Sequence, residues 1–422
     1  MALRKADTWL NNLNESIIPY LDGEDYEVRY LTLNPYLMSA QEHRNLQQAA
    51  EEICRIMSAL AQDIIANGNK SVVDILNMTP EITPFILDDN SPYVSNIARL
   101  DFVKESKSGL FKLTEINADT PCGMPEAYYA NVVAQQVFAA NTDIEDYHED
   151  LAKPFVEILE RQFSAADKVT IVCAANKDYL EDWANTAYVR KVVSSAVMNL
   201  PQECSVYLAD LRELIIKEDG VYITNVLGKE IKADILYRLH PLELLAEDQA
   251  EDGYPVGKKL MDLANLGKVV LVNPVKALLL QNKALMAVTR LLAESTDYFA
   301  EFDKFIISNH IPDTSLEAEH FKGRKFIKKP IFGREGCNIT IVEPDGTFSY
   351  EAEESDDCDA IYQEFIESPV YSCETDDGPW EGKLTYSCFI INGKASQVFI
   401  RFSPYDIAGT EALCVPVVRT EK

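Results

Sequence analysis

The stretch that most limits what this chain can become is residues 99–127, RLDFVKESKSGLFKLTEINADTPCGMPEA. Apolar Leu100 and Phe102 alternate with Arg99 and Asp101, the two-residue period of a strand with one buried face. Residues 104–109 supply a polar turn in which Gly109 is free to take a positive φ. On the return strand Glu115 and Asn117 lie two apart and share a face. A turn centred near Ser106 and Lys107 sets Arg99 opposite Glu115, with Arg99, Asp101, Glu115 and Asn117 all on one side. Two carboxylates and an amide oxygen form a hard-oxygen donor set of the kind Mg²⁺ accepts, with positions left for water and phosphate. Arg99 beside them contacts an anionic substrate or holds a carboxylate in place. Spacing alone also fits a solvated strand face with one exposed ion pair.

Around this hairpin the pattern reads as mixed helix and sheet. Residues 41–66 carry Leu46, Ala50, Ile53, Met57, Leu60 and Ile64 at helical spacing, with Asn67-Gly68 as a stop. Residues 79–92 hold three prolines and read as an extended loop. Residues 126–140 suit a buried helix, preceded by a loop with Thr120 and Cys122, where backbone N–H groups attract anions. From residue 167 short strands at 168–174, 205–210, 220–225 and 235–237 alternate with a helix over 182–200, implying an α/β lobe with a partly parallel sheet. Glu181 and Asp182 follow its first strand–loop, a usual place for ligand contacts. A strand at 269–273 precedes a continuous helix over 277–292 that bears Lys283.

Residues 326–342 form two strand-like runs around a loop with Gly333 and Gly336, whose backbone amides can approach phosphate closely. Lys328 and Lys329 point to opposite faces, so one of them reaches the cleft. Residues 351–359 are acidic and read as a solvated face, and residues 360–366 have strand character. Strands at 387–391 and 395–400 are joined by Asn392-Gly393, and Arg401 comes directly after the second.

Arg99-x-Asp101 and Glu115-x-Asn117-Ala118-Asp119-Thr120-Pro121, together with the KKPIFGREG string at 328–336, resemble the signature of the glutathionylspermidine synthase family of ATP-grasp acid–amine ligases. The resemblance runs from about residue 10 to the end and covers the synthetase part without an amidase domain. It implies an α/β (α+β) fold with a circularly permuted ATP-grasp core, a pre-ATP-grasp α/β lobe and a lid. The implied divisions are 1–140 for the N-terminal part of the core, 141–275 for the lobe, 276–365 for the lid and 366–422 for the C-terminal part of the core. It implies ATP and two Mg²⁺ ions as cofactors, with Asp101, Glu115 and Asn117 as metal ligands. Lys283, Lys329, Gly333, Arg334 and Gly336 are the implied phosphate contacts, with Lys329 favoured because it directly precedes proline. Gln363 and Glu364 are the implied contacts to base or ribose, and Arg401 and Arg99 are implied to stabilise transition-state charge. Thr120, Cys122, Glu181 and Asp182 are the implied substrate contacts, with Cys122 standing where the family has serine or threonine. The string Tyr237-Arg238-Leu239-His240-Pro241-Leu242-Glu243 also resembles a family motif and has no implied role.

Sixty-eight acidic against 39 basic residues give a net charge of −29, which argues against nucleic acid and anionic membranes as partners. An ATP site in such a chain must be locally basic, and an acidic cleft would attract a polycationic amine. The nine cysteines lack zinc or Cys-x-x-Cys spacing, and no apolar run approaches a membrane span or signal-peptide core. A reduced cytoplasmic setting is expected, with a small-molecule acid and amine as substrates and a homodimer as the assembly. A nucleotide-binding sensor or scaffold without ligase activity is the alternative from another class.

Overall fold

A computed structural model describes residues 8–21, 28–67, 75–139, 148–164, 168–334, 336–351 and 359–421. Its centre is an antiparallel six-stranded sheet in which the two ends of the chain meet. Ile97–Lys104 pairs on one side with Phe111–Asn117 and on the other with Gly378–Ile391. Lys394–Ser403 and Leu413–Cys414 continue the sheet, and Tyr371–Thr375 adds to Gly378–Ile391. This is the fold-level meaning of the permuted order: the acid-bearing hairpin comes early, and the strands beside it come last.

The hairpin is built as the alternation demands, with Leu100 and Phe102 fully buried. Its register differs from the expected one. Arg99 pairs with Asn117 and Asp101 with Glu115, a shift of two residues: a bulge after Asp101 absorbs one, Thr114, and the turn, which sets Lys104 opposite Phe111, absorbs the other. The face is unchanged, so all four side chains still point one way. The same face carries Phe399 and Arg401, since Asp101 pairs with Ser387 and Ser387 with Phe399. Arg401 lies inside the strand Lys394–Ser403, not after it. Asn392 and Gly393 both have positive φ, as a two-residue turn requires.

The second sheet is wholly parallel, ordered Val270–Val272, Ile235–Leu239, Lys168–Ala175, Glu203–Asp210. Leu180–Val197 packs on it as the crossover helix. The strand at 220–224 belongs instead to a separate three-stranded antiparallel sheet. The third major sheet is antiparallel, ordered Thr314–Ser315, Ala360–Glu364, Phe326–Pro330, Thr340–Val342, Phe348–Glu351.

The helix Ala40–Asn67 buries the expected stripe. Three local expectations change. The loop at 79–92 contains a short helix, Thr83–Leu87, started by a proline in its first turn. The helix expected over 277–292 is two helices, Ala277–Gln281 and Ala284–Ser295. Asn282 breaks it: its Oδ1 accepts from Ala284 N at 2.8 Å and its Nδ2 donates to Leu76 O at 2.7 Å, so the side chain replaces helical backbone bonds. The helix after Pro125 opens as a π-helical turn, Glu126–Ala130, before continuing as Asn131–Phe138. Gly68 and most of the acidic run at 351–359 lie outside the described residues.

Candidate active site

Asp101 is the centre of a buried charge cluster. Arg99 grips it with two bonds, Nε to Oδ1 and Nη2 to Oδ2, both 2.8 Å. Arg401 donates from Nη2 to Oδ2 at 2.8 Å across a sequence separation of 300 residues. Asn117 Nδ2 reaches Oδ2 at 3.2 Å and Glu115 Oε1 at 3.4 Å. Burial would raise the Asp101 carboxyl, but the Arg99 and Arg401 guanidiniums outweigh it and hold the group well below the usual carboxylate range. The Arg401 Nε is buried and has no acceptor among the described residues. An orphaned guanidinium donor beside a carboxylate cluster suits an incoming anionic oxygen.

Two lysines approach the hairpin, Lys329 from the strand Phe326–Pro330 and Lys283 from the start of the helix Ala284–Ser295. Lys329 is buried, as expected of the lysine facing the cleft, whereas Lys328 is only half-buried. Its Nζ donates to Thr114 O at 3.2 Å and to Gln363 Oε1 at 2.8 Å. Thr114 is the bulged residue, so the carbonyl left out of the ladder is the one the lid lysine takes. Burial lowers the Lys329 ammonium to about 8, with Glu115 opposing the fall and Lys283 adding to it. Lys283 stands at the helix break, not on a helix face. Its Nζ donates to Gly333 O at 2.8 Å and lies 3.6 Å from Glu115 Oε2.

Two implied nucleotide contacts are engaged differently. The Gln363 amide is buried, with Oε1 on Lys329 and Nε2 donating to Thr314 Oγ1 at 3.1 Å, so it holds the lysine and presents nothing to a base. The neighbouring Glu364 is exposed. Arg334 is engaged by an acid outside the hairpin: its Nη2 pairs with Glu243 Oε1 at 2.6 Å. Gly333 and Gly336 are required sterically. A Cβ on Gly333 would meet Pro330 Cγ at 2.3 Å, and Gly336 has φ +74 with Ala408 O 3.2 Å from its Cβ position.

On the other flank, Arg99 Nη1 donates to Cys122 O at 2.8 Å and its guanidinium lies 5.8 Å from the Phe399 ring centroid. The loop is held close, because a Cβ on Gly123 would sit 2.9 Å from Phe399. The Cys122 thiol donates to Asp182 Oδ1 at 3.5 Å. Burial, then Asp182, push this thiol well above its ordinary value, so it is present as S–H. Asp182 and Glu181 open the helix Leu180–Val197. Cys122 and Asp182 thus meet, and Thr120 stands two residues away in the same loop.

Three positioning residues escape a sequence reading. Asn273 is fully buried. Its Oδ1 accepts from Asn96 N and Ile97 N, and its Nδ2 donates to Ile97 O and Asp119 O, all within 2.7–2.9 Å. One amide therefore ties the parallel sheet to the start and the end of the acid-bearing hairpin. Asp119 is paired with Arg238, Nη2 to Oδ1 at 2.6 Å, and accepts Leu242 N at 2.8 Å. These contacts explain much of the unassigned 237–243 motif: Arg238 anchors the loop after Asn117, and Glu243 meets Arg334.

A divalent cation fits this donor set in part. Among the described residues no group of three or more His, Cys, Asp or Glu side chains is arranged to hold a metal. The set is two carboxylates and one amide, completed in principle by phosphate and water. Glu115 is the open carboxylate, and Asn117 offers its oxygen if the amide is turned, an exchange that costs no volume. Asp101 already accepts four bonds, so it has little left beyond one lone pair on Oδ1.

A split antiparallel sheet beneath a lysine- and glycine-bearing lid sheet, flanked by a parallel lobe, is the architecture of an ATP-grasp ligase. The solved apoform of a glutathione synthetase like-effector from Globodera pallida shares it, with a TM-score of 0.57 at 10% identity over 99% of this chain and 97% of that one. The sequence matches the family described as "Glutathionylspermidine synthase preATP-grasp" over residues 2–418, and the chain belongs to that family of ligases. A Haemophilus influenzae relative named "Putative acid--amine ligase" is 23% identical over 368 residues, spanning 84% of this chain and 83% of the relative. Among the described residues no helix is long and apolar enough to cross a membrane.

Proposed function

We propose that the protein joins the carboxylate of a small peptide or amino acid to an amine at the expense of ATP. The observation that carries this reading is the convergence of Arg99 and Arg401 on Asp101, with Lys283 and Lys329 at the opposite edge of the same face. In this reading residues 276–365 are the lid over the nucleotide and 141–275 carry the acid-binding lobe.

The acid carboxylate attacks the γ-phosphoryl of ATP, ADP leaves, and the acyl phosphate formed is attacked by the amine with loss of phosphate. Lys283 and Lys329 hold phosphate oxygens at the lid side. Arg99 and Arg401 hold charge on the acyl oxygens and the transferring phosphoryl, in a buried setting where such contacts are strong. Glu115 and Asn117, with the remaining lone pair of Asp101, would hold Mg²⁺, which neutralises phosphate charge when bound. Cys122 and Asp182 face the acid substrate. The acidic surface supports an amine as co-substrate through steering.

The test is ADP release measured for amino acids, peptides and polyamines in pairs. Release that needs both an acid and an amine supports the proposal. Release with no dependence on the amine across the panel contradicts it.

Two further outcomes follow. Lys329 is charged below about pH 8 and must take up a proton to meet phosphate above it. The KM for ATP should be flat below that pH and rise by up to about tenfold per pH unit above it. A flat profile to pH 9.5 removes Lys329 as a phosphate contact. Cys122→Ser replaces a weak donor by a stronger one toward Asp182. It should shift the KM of the acid by roughly fivefold, the worth of one hydrogen bond, and leave the KM of ATP unchanged. Equal shifts in both would remove Cys122 from the acid site.

A further inference from the structure

The contacts around the site close into a ring. Asn117 touches Glu115, and Glu115 lies 3.6 Å from Lys283. Lys283 holds the carbonyl of Gly333, and the next residue, Arg334, pairs with Glu243. The residue before Glu243, Leu242, gives its backbone N–H to Asp119, two positions from Asn117. Every link is a side-chain contact or a short chain step, and the ring surrounds the place where lid and hairpin face each other.

Glu243 is the odd member. It is an anion facing the proposed phosphate site, in a protein that already carries a charge of −29. Its position is rigid, because Asp119 and the buried Arg238 fix the backbone on its N-terminal side. Its carboxylate is incompletely satisfied: Oε1 has Arg334, while Oε2 is buried with no partner among the described residues. Arg334 is partly exposed, at 40% of its side chain, and sits in a loop. A fixed, half-satisfied carboxylate holding a solvent-accessible guanidinium is a pair that a better anion can break.

We propose that Glu243 is a placeholder for nucleotide phosphate on Arg334, a specificity device that sets the affinity for ATP. It rests on the proposed ligase reading and on the phosphate contact that the family resemblance implies for Arg334. Without nucleotide, Glu243 occupies the arginine. A phosphate chain, with more charge and more acceptor oxygens, takes the guanidinium over. Glu243 thus weakens ATP binding by the free energy of the pair it forms, and it prevents weaker monoanions from seating there.

The experiment measures equilibrium binding of Mg·ATP to the full chain in four forms: wild type, Glu243→Gln, Arg334→Ala and the double variant. Glutamine keeps the shape of Glu243 and removes its charge. The expected result is an ATP Kd lowered about two- to fivefold in Glu243→Gln, the range of a partly exposed ion pair. Arg334→Ala should raise Kd, and Glu243→Gln should then have no effect in the Arg334→Ala background. Inorganic phosphate, tested as a competitor, should inhibit Glu243→Gln more strongly than wild type. A raised Kd in Glu243→Gln, an unchanged one, or an effect that persists without Arg334 overturns the placeholder role while leaving the ligase reading intact. Absence of ATP binding by the wild type overturns both.

Discussion

Replacing Asp101 by asparagine is expected to reduce ADP release about a hundred- to a thousandfold, the scale of losing a preorganised electrostatic contact. Asp101 binds both arginines that the proposed chemistry needs. An amide there keeps one acceptor oxygen but turns an N–H₂ toward a guanidinium, and two like charges then face each other with their counter-charge gone. The damage is expected in kcat more than in the KM for ATP, because Lys283 and Lys329 are held by other partners. Since the carboxylate is fully buried, stability should also fall by about 3–5 kcal/mol. Rates compared well below the melting point, with circular dichroism as the control, separate the two losses. Activity within threefold of wild type in a folded variant would remove the arginine pair from the mechanism.

The second large effect concerns stability. Asp119→Ala is expected to destabilise the chain by about 3–5 kcal/mol, because it leaves the buried Arg238 guanidinium without its counter-charge and strips Leu242 N of its acceptor. Replacing both partners by apolar residues of similar volume, Asp119→Leu with Arg238→Met, should recover most of that loss, since neither charge then needs solvation. Urea unfolding of the three proteins checks this. The double variant is still expected to lose activity, because Leu242 and Glu243 are no longer anchored to the hairpin loop. A double variant as unstable as the single one would mean that the pair is not the source of the loss.

The hairpin was legible because a strand face has a fixed period: once Leu100 and Phe102 take one face, Arg99 and Asp101 must share the other. Its register was readable only in part: apolar Phe111 and Leu113 lie two apart but Ile116 follows three later, the phase slip of a bulge at Thr114, with no glycine to mark it. The break before Lys283 did leave a trace. Asparagine is a poor residue for a helix interior, and Asn282 reads, after the fact, as a cap. The roles of Asn273, Asp119 and Glu243 were hidden for a different reason. Their partners lie between 91 and 177 residues away, and several are backbone groups with no sequence signature. Gln363 shows the limit of residue type as a guide: an amide that could read a base is spent on Lys329.

The central claim is that segments from both ends of the chain and from the lid surround one triphosphate. A structure determined with Mg²⁺ and a non-hydrolysable ATP analogue tests it most directly. The account predicts the γ-phosphate between Lys283, Lys329 and Arg401, a cation bonded to Glu115, and Arg334 moved off Glu243. A nucleotide bound elsewhere, with Asp101, Glu115 and both lysines free of it, would contradict the account.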